Sequence, residues 1–599
     1  MWKTKGTGVA HVDTAAKECL PPCQIKCPIH EDIQRTNVLI SLLPDDPDVA
    51  KEGILQIGHY LYDKNPFFNI CGYICGICEL ECNYLKKGGA IKRRLLKRFL
   101  SDVYTEHLGK LRESGIVKDK ERVAVIGGGP GGLMCAYNLA KKGYNVTIVE
   151  ASDRLGGALW LVPDYRLPKD VLQTTVGNLV RTAGIDTKYN SKLGAGKLTL
   201  ESLKNEGYEA AFLAIGLPAP RVLTFEGQFV EGQDLAGVMY GHTYLYEVSH
   251  RSIPPDYFAG KRLIVTGGGN VAFDVARSAR RQGAADVTIV ALEREDKDHR
   301  DGIPADEEEI RGAWEEGIRI IYSRGIRSIV GESGRFKGIN CPLCISVFSE
   351  KRFNPKFNCE DCADLEGDIL IITVGQAADM FLLQKEGLLD EQGRLAVDQL
   401  TLQSMKKPWV FVGGDIRRVG FMVEAMGEGL VAAESIDRYL RRVDMMEGRR
   451  RDYEAYQIPL RRDYKREPEA PWVPPEDRMH FKMFEKGFTL KEAIEEARRC
   501  VTCGPCLSCK ACISIGFQKS LSPVEVDASR CSGCGHCVYV CNYYSARLIS
   551  SGDKIISETD MFRCKSCGMC VVACPSQARR MVDDDTVKRI EAIYSSLVS

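Results

Sequence analysis

Two rhythms of apolar residues divide the chain. Through residues 1–118 they recur at helical spacing, clearest in "IQRTNVLISLL" and "AIKRRLLKRFLSDVY", which predicts a helical N-terminal region. From "ERVAVIGGGPGG" to residue 445, short β-rich runs alternate with helical stretches, the pattern of a doubly wound α/β region. "RRVDMMEGRRRDYEAYQIPLRRDYKREPEAPWVPPED" then breaks both rhythms. Charged and proline-bearing, it predicts a linker over the surface. "TLKEAIEEARR" predicts a short helix that leads into a cysteine-rich end, and residues 581–599 predict a closing helix.

Composition narrows the class. A chain of 599 residues exceeds one core, and about 150 residues per domain suggests roughly four. Lysine plus arginine balance aspartate plus glutamate at 81 each, so a nucleic-acid backbone is not the expected partner. No apolar run approaches the ~20 residues of a membrane span. "MWKTKGTGVAHVDTAAKE" has no apolar stretch after its charges, so no signal peptide is expected and the location expected is cytoplasmic. In a reducing compartment the 25 cysteines read as metal ligands or redox groups rather than disulfides. All but Cys135 fall in tight groups.

Two glycine loops follow strand patterns. In "VAVIGGGPGGLMCAYNLAKKGYNVTIVE", Gly127, Gly129 and Gly132 supply G-x-G-x-x-G around Pro130 and Gly131. The first glycine makes the turn, the second admits a pyrophosphate, and the third packs helix on strand. Glu150 ends the second strand, where an acid accepts bonds from a ribose. "RLIVTGGGNVAFDVARSARRQGAADVTIVALER" repeats the plan with Gly267, Gly269, Asn270, Val271 and Ala272. Two such units predict a flavin and a nicotinamide, against one working site and one decayed copy. "PWVFVGGDIRRVGFMVEAMGEGLVAAESIDRYL" favours the flavin for the first loop, with Gly414 in the cofactor set and Asp415 on the ribityl chain. An ordinary strand-turn-helix is the alternative there.

Residues 19–440 resemble the glutamate synthase small-subunit family, which includes the N-terminal half of dihydropyrimidine dehydrogenase and subunits of ferredoxin-linked oxidoreductases. The motifs that carry this are "CPIHEDI", "NPFFNICGYIC", "VIGGGPGG", "RLGGALW", "YRLPK", "FLAIG", "TGGGNVAFDVAR", "ITVGQ" and "VGGD". The resemblance implies an FAD domain interrupted by an NAD(P) domain. It extends the cofactor set to Arg154, Gly157, Arg166, Gly216, Gly375 and Ala425. The implied plan is a helical Fe–S domain at 1–118, FAD-binding parts at 119–258 and 376–445, and an NAD(P)-binding domain at 259–375. A linker at 446–485, a cysteine-rich segment at 486–520, a two-cluster ferredoxin-like domain at 521–580 and a helix at 581–599 complete it. Many relatives carry Tyr-Arg-Arg at the end of the second unit, where this chain has Ala291, Leu292 and Glu293. A carboxylate leans the reading to NADH, although Arg294 and Arg300 lie close enough to reverse it.

"CSGCGHCVYVCNYY" returns about 33 residues later as "CKSCGMCVVACP", resembling the halves of a bacterial two-cluster ferredoxin. There three ligands come from one motif and the fourth from the other. That pairs Cys531, Cys534 and Cys537 with Cys574, and Cys564, Cys567 and Cys570 with Cys541, for two [4Fe-4S] clusters. Asn542 replaces the usual proline. At the N-terminus Cys19, Cys23 and Cys27 are one short of the relatives' run, and Cys71, Cys75, Cys78 and Cys82 make the other side. One or two clusters are expected, with a zinc staple as the bland alternative. Lys97 stands near where relatives place Gln or Glu and cannot serve as a ligand. In "CVTCGPCLSCKAC", Cys506, Cys509 and Cys512 begin a half-motif that Cys500 or Cys503 could complete as a further cluster, with zinc as competitor. Cys341, Cys344, Cys359 and Cys362 are paired knuckles 14 residues apart, the spacing of a structural zinc ribbon, with unligated thiols or another cluster as alternatives.

These parts predict a flavoprotein subunit that passes electrons between NAD(P)H and clusters, and on to ferredoxin or partner subunits of a larger redox complex, bifurcating ones included. The cofactors carry the chemistry, so no side chain is expected as nucleophile or base. The alternatives are a stand-alone NAD(P)H:ferredoxin reductase, a glutamate synthase small subunit and a non-catalytic wiring scaffold.

Overall fold

The computed structural model describes residues 18–581, except 86–87, 112–114, 351, 448, 450–452, 456–471, 501–502, 504–523, 542–544, 553, 560–563 and 565–567. Two five-stranded parallel sheets organise it. The first runs Val410–Val412, Ala210–Leu213, Arg122–Ile126, Asn145–Val149, Asp186–Lys188. Its strands are apolar on both faces because alternate residues enter different cores. Val123 and Val125 pack on one side, and Ala124 and Ile126 on the other. The helices Pro130–Lys141 and Met422–Leu440 cover one face.

The second sheet runs Arg319–Ile321, Asp286–Val290, Arg262–Thr266, Ile369–Ile372, Val238–Tyr240. It therefore takes in a strand ahead of the boundary expected at 259. Three antiparallel strands, Ser328–Glu332, Arg335–Ser349 and Arg352–Glu366, extend from it.

The N-terminal helices Ile33–Ser41, Pro47–Lys64, Phe68–Ile74 and Arg93–Leu108 share a core with Phe488, Ala493, Ile494 and Ala497. The last three belong to the helix Leu490–Arg499, which opens on a capping box between Thr489 and Glu492. A helix more than 380 residues downstream thus completes the N-terminal core. The expected surface linker is partly interior. Tyr453–Ala455 pairs in parallel with Glu18–Leu20, and Arg478, Phe484 and Glu485 are buried. Arg478 pairs with Glu315 (2.5 Å) and Glu485 with Arg94 (2.6 Å), which ties this segment to both the second nucleotide unit and the N-terminal helices.

The tail has two antiparallel pairs, Val524–Val526 with Arg579–Met581 and Ala546–Ser551 with Lys554–Thr559. Two short helices, His536–Val540 and Met569–Val572, carry cysteines inward.

Candidate functional site

The first loop is built by steric necessity. Gly127 turns the chain at φ +103°, and a Cβ there would lie 2.4 Å from the Ala214 oxygen. A Cβ on Gly132 would lie 1.9 Å from the Gly127 oxygen, so only glycine lets the helix start against the strand. Gly129 differs: its Cβ would meet nothing nearer than the Gly157 Cα at 3.9 Å. The backbone is left open where a pyrophosphate would approach a helix N-terminus. Glu150 is buried, accepting from the Gly128 N–H (2.7 Å) and from both the Ser152 N–H (2.8 Å) and hydroxyl (2.9 Å).

Gly127, Gly129 and Glu150 line a cleft together with Pro130, Gly131, Arg154, Gly157, Gly216, Gly414, Asp415 and Ala425. Gly414 holds φ +79°, and burial pushes the Asp415 carboxyl up to about 6. Trp160, His242, Tyr246 and His250 also line the cleft, and sequence reasoning missed them. Trp160 sits inside a motif already quoted. The other three follow the strand Val238–Tyr240 of the second sheet, and nothing local in the sequence marks them.

Two expected cofactor residues stand elsewhere. Arg166 does not line the cleft; its guanidinium clamps both Asp274 oxygens (2.9 Å each) and Glu309 (2.8 Å). Asp274 and Glu309 belong to the second unit, so Arg166 joins the two units rather than lining the cleft. Gly375, at φ +101°, accepts the Arg221 N–H (3.0 Å) and turns the chain between the units.

The second loop repeats the first. Gly267 turns at φ +133°, with a hypothetical Cβ 2.5 Å from the Thr373 hydroxyl, and nothing faces Gly269 within 4 Å. Ala272 is buried under the helix start, Val271 is exposed, and Asn270 exchanges hydrogen bonds with Asp306 (2.8 Å each). Glu293 matches Glu150: a Cβ on Gly268 would lie 2.3 Å from its Oε2. That buried oxygen has no hydrogen-bond partner among the described residues, and burial pushes the carboxyl up. The Arg294 guanidinium bonds the Ile345 carbonyl (3.1 Å), and Arg300 is exposed beside Asp301 (3.7 Å).

The thiols gather around spaces rather than points. In the tail, Cys531, Cys534, Cys537 and Cys574 line one cavity, with Ser557 and Arg579 in its wall. Cys541, Cys564 and Cys570 share the small core there, while Cys567 lies outside the described residues, as do Cys506, Cys509, Cys512 and the closing helix. At the N-terminus Cys27, Cys71, Cys75 and Cys78 are buried in the same core as Met134, Val423 and Met426 of the helices Pro130–Lys141 and Met422–Leu440. A Cβ on Gly427 would lie 2.7 Å from Pro28, so this docking is close. A hydrogen bond from Cys75 brings the Cys71 thiol down to about 7, against burial. Lys97 is buried beside them, paired with Glu31 (3.1 Å), which Arg93 also holds (2.8 Å). Burial would push the Glu31 carboxyl up, but Lys97 and Arg93 outweigh it and hold it at about 2. Cys23, Cys78, Cys82, Cys500 and Cys503 line a further small cavity. Burial pushes the Cys23 thiol well up, and the neighbouring Cys78, Cys500, Cys503 and Cys82 add to that. Cys19 lies in the strand Glu18–Leu20.

The four thiols expected as a zinc ribbon at 341–362 are divided between core and surface. Cys341 and Cys344 are buried, Cys341 in an apolar core, whereas Cys359 and Cys362 are exposed on the neighbouring strand. The pairing of the two strands is irregular at these thiols: Pro342 lies opposite Cys362 but Leu343 opposite Asn358, so residues 359–361 stand out of register while Cys341 and Cys344 stay inside. Among the described residues, no three His, Cys, Asp or Glu side chains converge on a single metal ion anywhere.

A family model described as pyridine nucleotide-disulphide oxidoreductase matches residues 117–429, just over half of the chain. The chain is 31% identical to the NADP(+)-dependent formate dehydrogenase subunit beta of Moorella thermoacetica, over 70% of this chain and 60% of that protein's length. It is 27% identical to the NADPH-Fe(3+) oxidoreductase subunit beta of Geobacter sulfurreducens, over 80% of this chain and 75% of the relative. It is also 27% identical to the glutamate synthase (NADPH) small chain of Escherichia coli, over 73% and 92% respectively. The resemblance that the motifs carry is borne out.

Proposed function

The chain belongs to the pyridine nucleotide-disulphide oxidoreductase family, and on that premise we propose that it is an FAD-dependent NAD(P)H oxidoreductase subunit wired by iron–sulfur clusters to partner subunits or ferredoxin. FAD would lie in the cleft, its pyrophosphate over Gly129, a ribose on Glu150 and the ribityl chain near Asp415. The nicotinamide dinucleotide would lie over Gly269, with Glu293 accepting from its adenosine ribose. The buried, unpartnered oxygen of Glu293 fits free hydroxyls and repels a 2′-phosphate. The three relatives are named for NADP or NADPH; Glu293 favours NADH for this chain.

When bound, a flavin takes up two electrons as a hydride and releases them singly to clusters, each of which accepts one. The chain's own residues hold and space the carriers. Cys531, Cys534, Cys537 and Cys574 suit one [4Fe-4S] cluster of a ferredoxin-like tail, and Cys541, Cys564, Cys567 and Cys570 the other. Cys27, Cys71, Cys75 and Cys78 suit a cluster against the flavin domain.

The observation that carries this reading is that inner thiols and flavin-side helices share one packed core, while Arg35 of the helix Ile33–Ser41 donates to the Cys564 carbonyl (3.3 Å) in the tail. The inner thiols thus pack on the first nucleotide unit, and the tail touches the helix layer that carries them. Anaerobic purification with flavin and iron quantification tests it: one FAD and several [4Fe-4S] equivalents per chain are expected, with flavin bleaching on addition of NADH. A colourless, iron-free protein overturns it.

A further inference from the structure

The cavity lined by Cys23, Cys78, Cys82, Cys500 and Cys503 draws its walls from both ends of the chain. The helix Leu490–Arg499 brings the second pair there. Its apolar face is in the N-terminal core, Glu496 accepts the Lys92 N–H (2.7 Å), and Arg499 donates to the Gly88 (3.0 Å) and Gly89 (2.8 Å) carbonyls. Cys500 caps this helix, so Cys500-x2-Cys503 opens onto the cavity beside Cys82. Two amides point at the sulfurs: Gln34 donates to Cys23 (2.9 Å) and Asn83 to Cys503 (3.2 Å). Such donors stabilise thiolate charge.

Cys78 lines the cavity but keeps company with Cys27 and Cys75 on the flavin side. Setting it with Cys27, Cys71 and Cys75 leaves four thiols here. These four thiols line one shared cavity, the ligand number a four-iron cube takes.

We propose that Cys23, Cys82, Cys500 and Cys503 together hold one [4Fe-4S] cluster, so that the C-terminal cysteine pair supplies the ligands the N-terminal run lacks. The inference rests on the iron–sulfur reading above. It reassigns Cys500 and Cys503 away from Cys506, Cys509 and Cys512. It also puts a carrier between the inner thiols and the tail, because Ile33, Gln34 and Asn37 of the cavity wall share a helix with Arg35, which contacts Cys564. On assembly the four thiols lose their protons and bind iron as thiolates.

The test uses the full chain, reconstituted anaerobically with iron and sulfide. Cys23→Ser and Cys503→Ser should each lose about four irons and the same EPR signal of the reduced protein. The double variant should lose no more than either alone. A double variant that loses about eight irons overturns the inference. So does loss of that same signal in the combined Cys506→Ser, Cys509→Ser, Cys512→Ser variant. If a serine variant loses flavin as well as iron, the wild-type protein decides. Clusters are removed stepwise with ferricyanide, and freed thiols are labelled and read by mass spectrometry. Cys23, Cys82, Cys500 and Cys503 should become labelled in one step. Labelling of Cys500 and Cys503 in step with Cys506, Cys509 and Cys512 overturns the inference. Absence of iron from every preparation overturns the underlying reading; iron with this linkage broken overturns the inference alone.

Discussion

Alanine at Gly129 and alanine at Gly132 add the same methyl to the same loop, yet they should fail in different ways. At Gly132 the new Cβ would lie 1.9 Å from the Gly127 oxygen and 3.2 Å from a Val125 methyl. Both neighbours belong to the strand end, so backbone must move. Overpacking of this kind costs about 3 kcal/mol or somewhat more. For a folding unit of the flavin domain's size that lowers Tm by roughly 6–12 °C. At Gly129 the backbone is extended (φ −77°, ψ −177°), which alanine adopts freely, and among the described residues the nearest neighbour is 3.9 Å away. The unliganded fold should not notice. The methyl would, however, stand where the pyrophosphate approaches. An intrusion costing about 1–3 kcal/mol weakens FAD binding by roughly 5- to 150-fold. The assay is thermal melting of deflavinated protein followed by FAD titration monitored by flavin fluorescence. If Gly129→Ala binds FAD like the parent, or Gly132→Ala melts with it, the steric reading of this loop is wrong.

Three further outcomes are expected. Glu293→Gln should lower the ratio of kcat/KM for NADH over NADPH by about 10-fold or more, because it removes one charge-assisted ribose contact and the repulsion of a phosphate; a parent protein that already prefers NADPH refutes the assignment. Arg166→Ala should leave flavin content intact while destabilising the protein by about 3–5 kcal/mol, since Asp274 and Glu309 are left buried without this partner; loss of flavin with unchanged melting would return Arg166 to the cofactor site. FAD affinity should fall as pH drops through about 6, because the ionised Asp415 accepts more strongly from ribityl hydroxyls than the protonated acid does, and Asp415→Asn should flatten that dependence. In the free protein the sign is opposite: a carboxyl raised above its unfolded value disfavours the fold when ionised, so Asp415 adds stability as pH falls from about 6 toward the ordinary carboxylate range.

Much of this protein was legible as a string because its chemistry is local. A glycine loop, the strand before it and the helix after it are contiguous, so Gly127, Gly129 and Gly132 could be read in place, as could Glu150 and Glu293 at the ends of the next strands. In the tail the structure gathers Cys531, Cys534, Cys537 and Cys574 around one cavity, the set that the repeated spacing pairs. Spacing misled wherever a long-range contact outweighed local geometry. The cysteines at 341–362 have knuckle spacing, but strand pairing puts two inside and two outside. Arg166 reads as a cofactor residue, but two acids over 100 residues away claim its guanidinium.

The sequence alone determined the two nucleotide units and the wealth of clustered thiols, since each rests on residues a few positions apart whose backbone must turn one way. Which thiols share a space was decided only by tertiary packing. Asn83 and Cys503 are 420 residues apart and meet because the helix Leu490–Arg499 buries its apolar face among helices at the other end of the chain. No spacing rule encodes a partner brought in by burial of a distant surface.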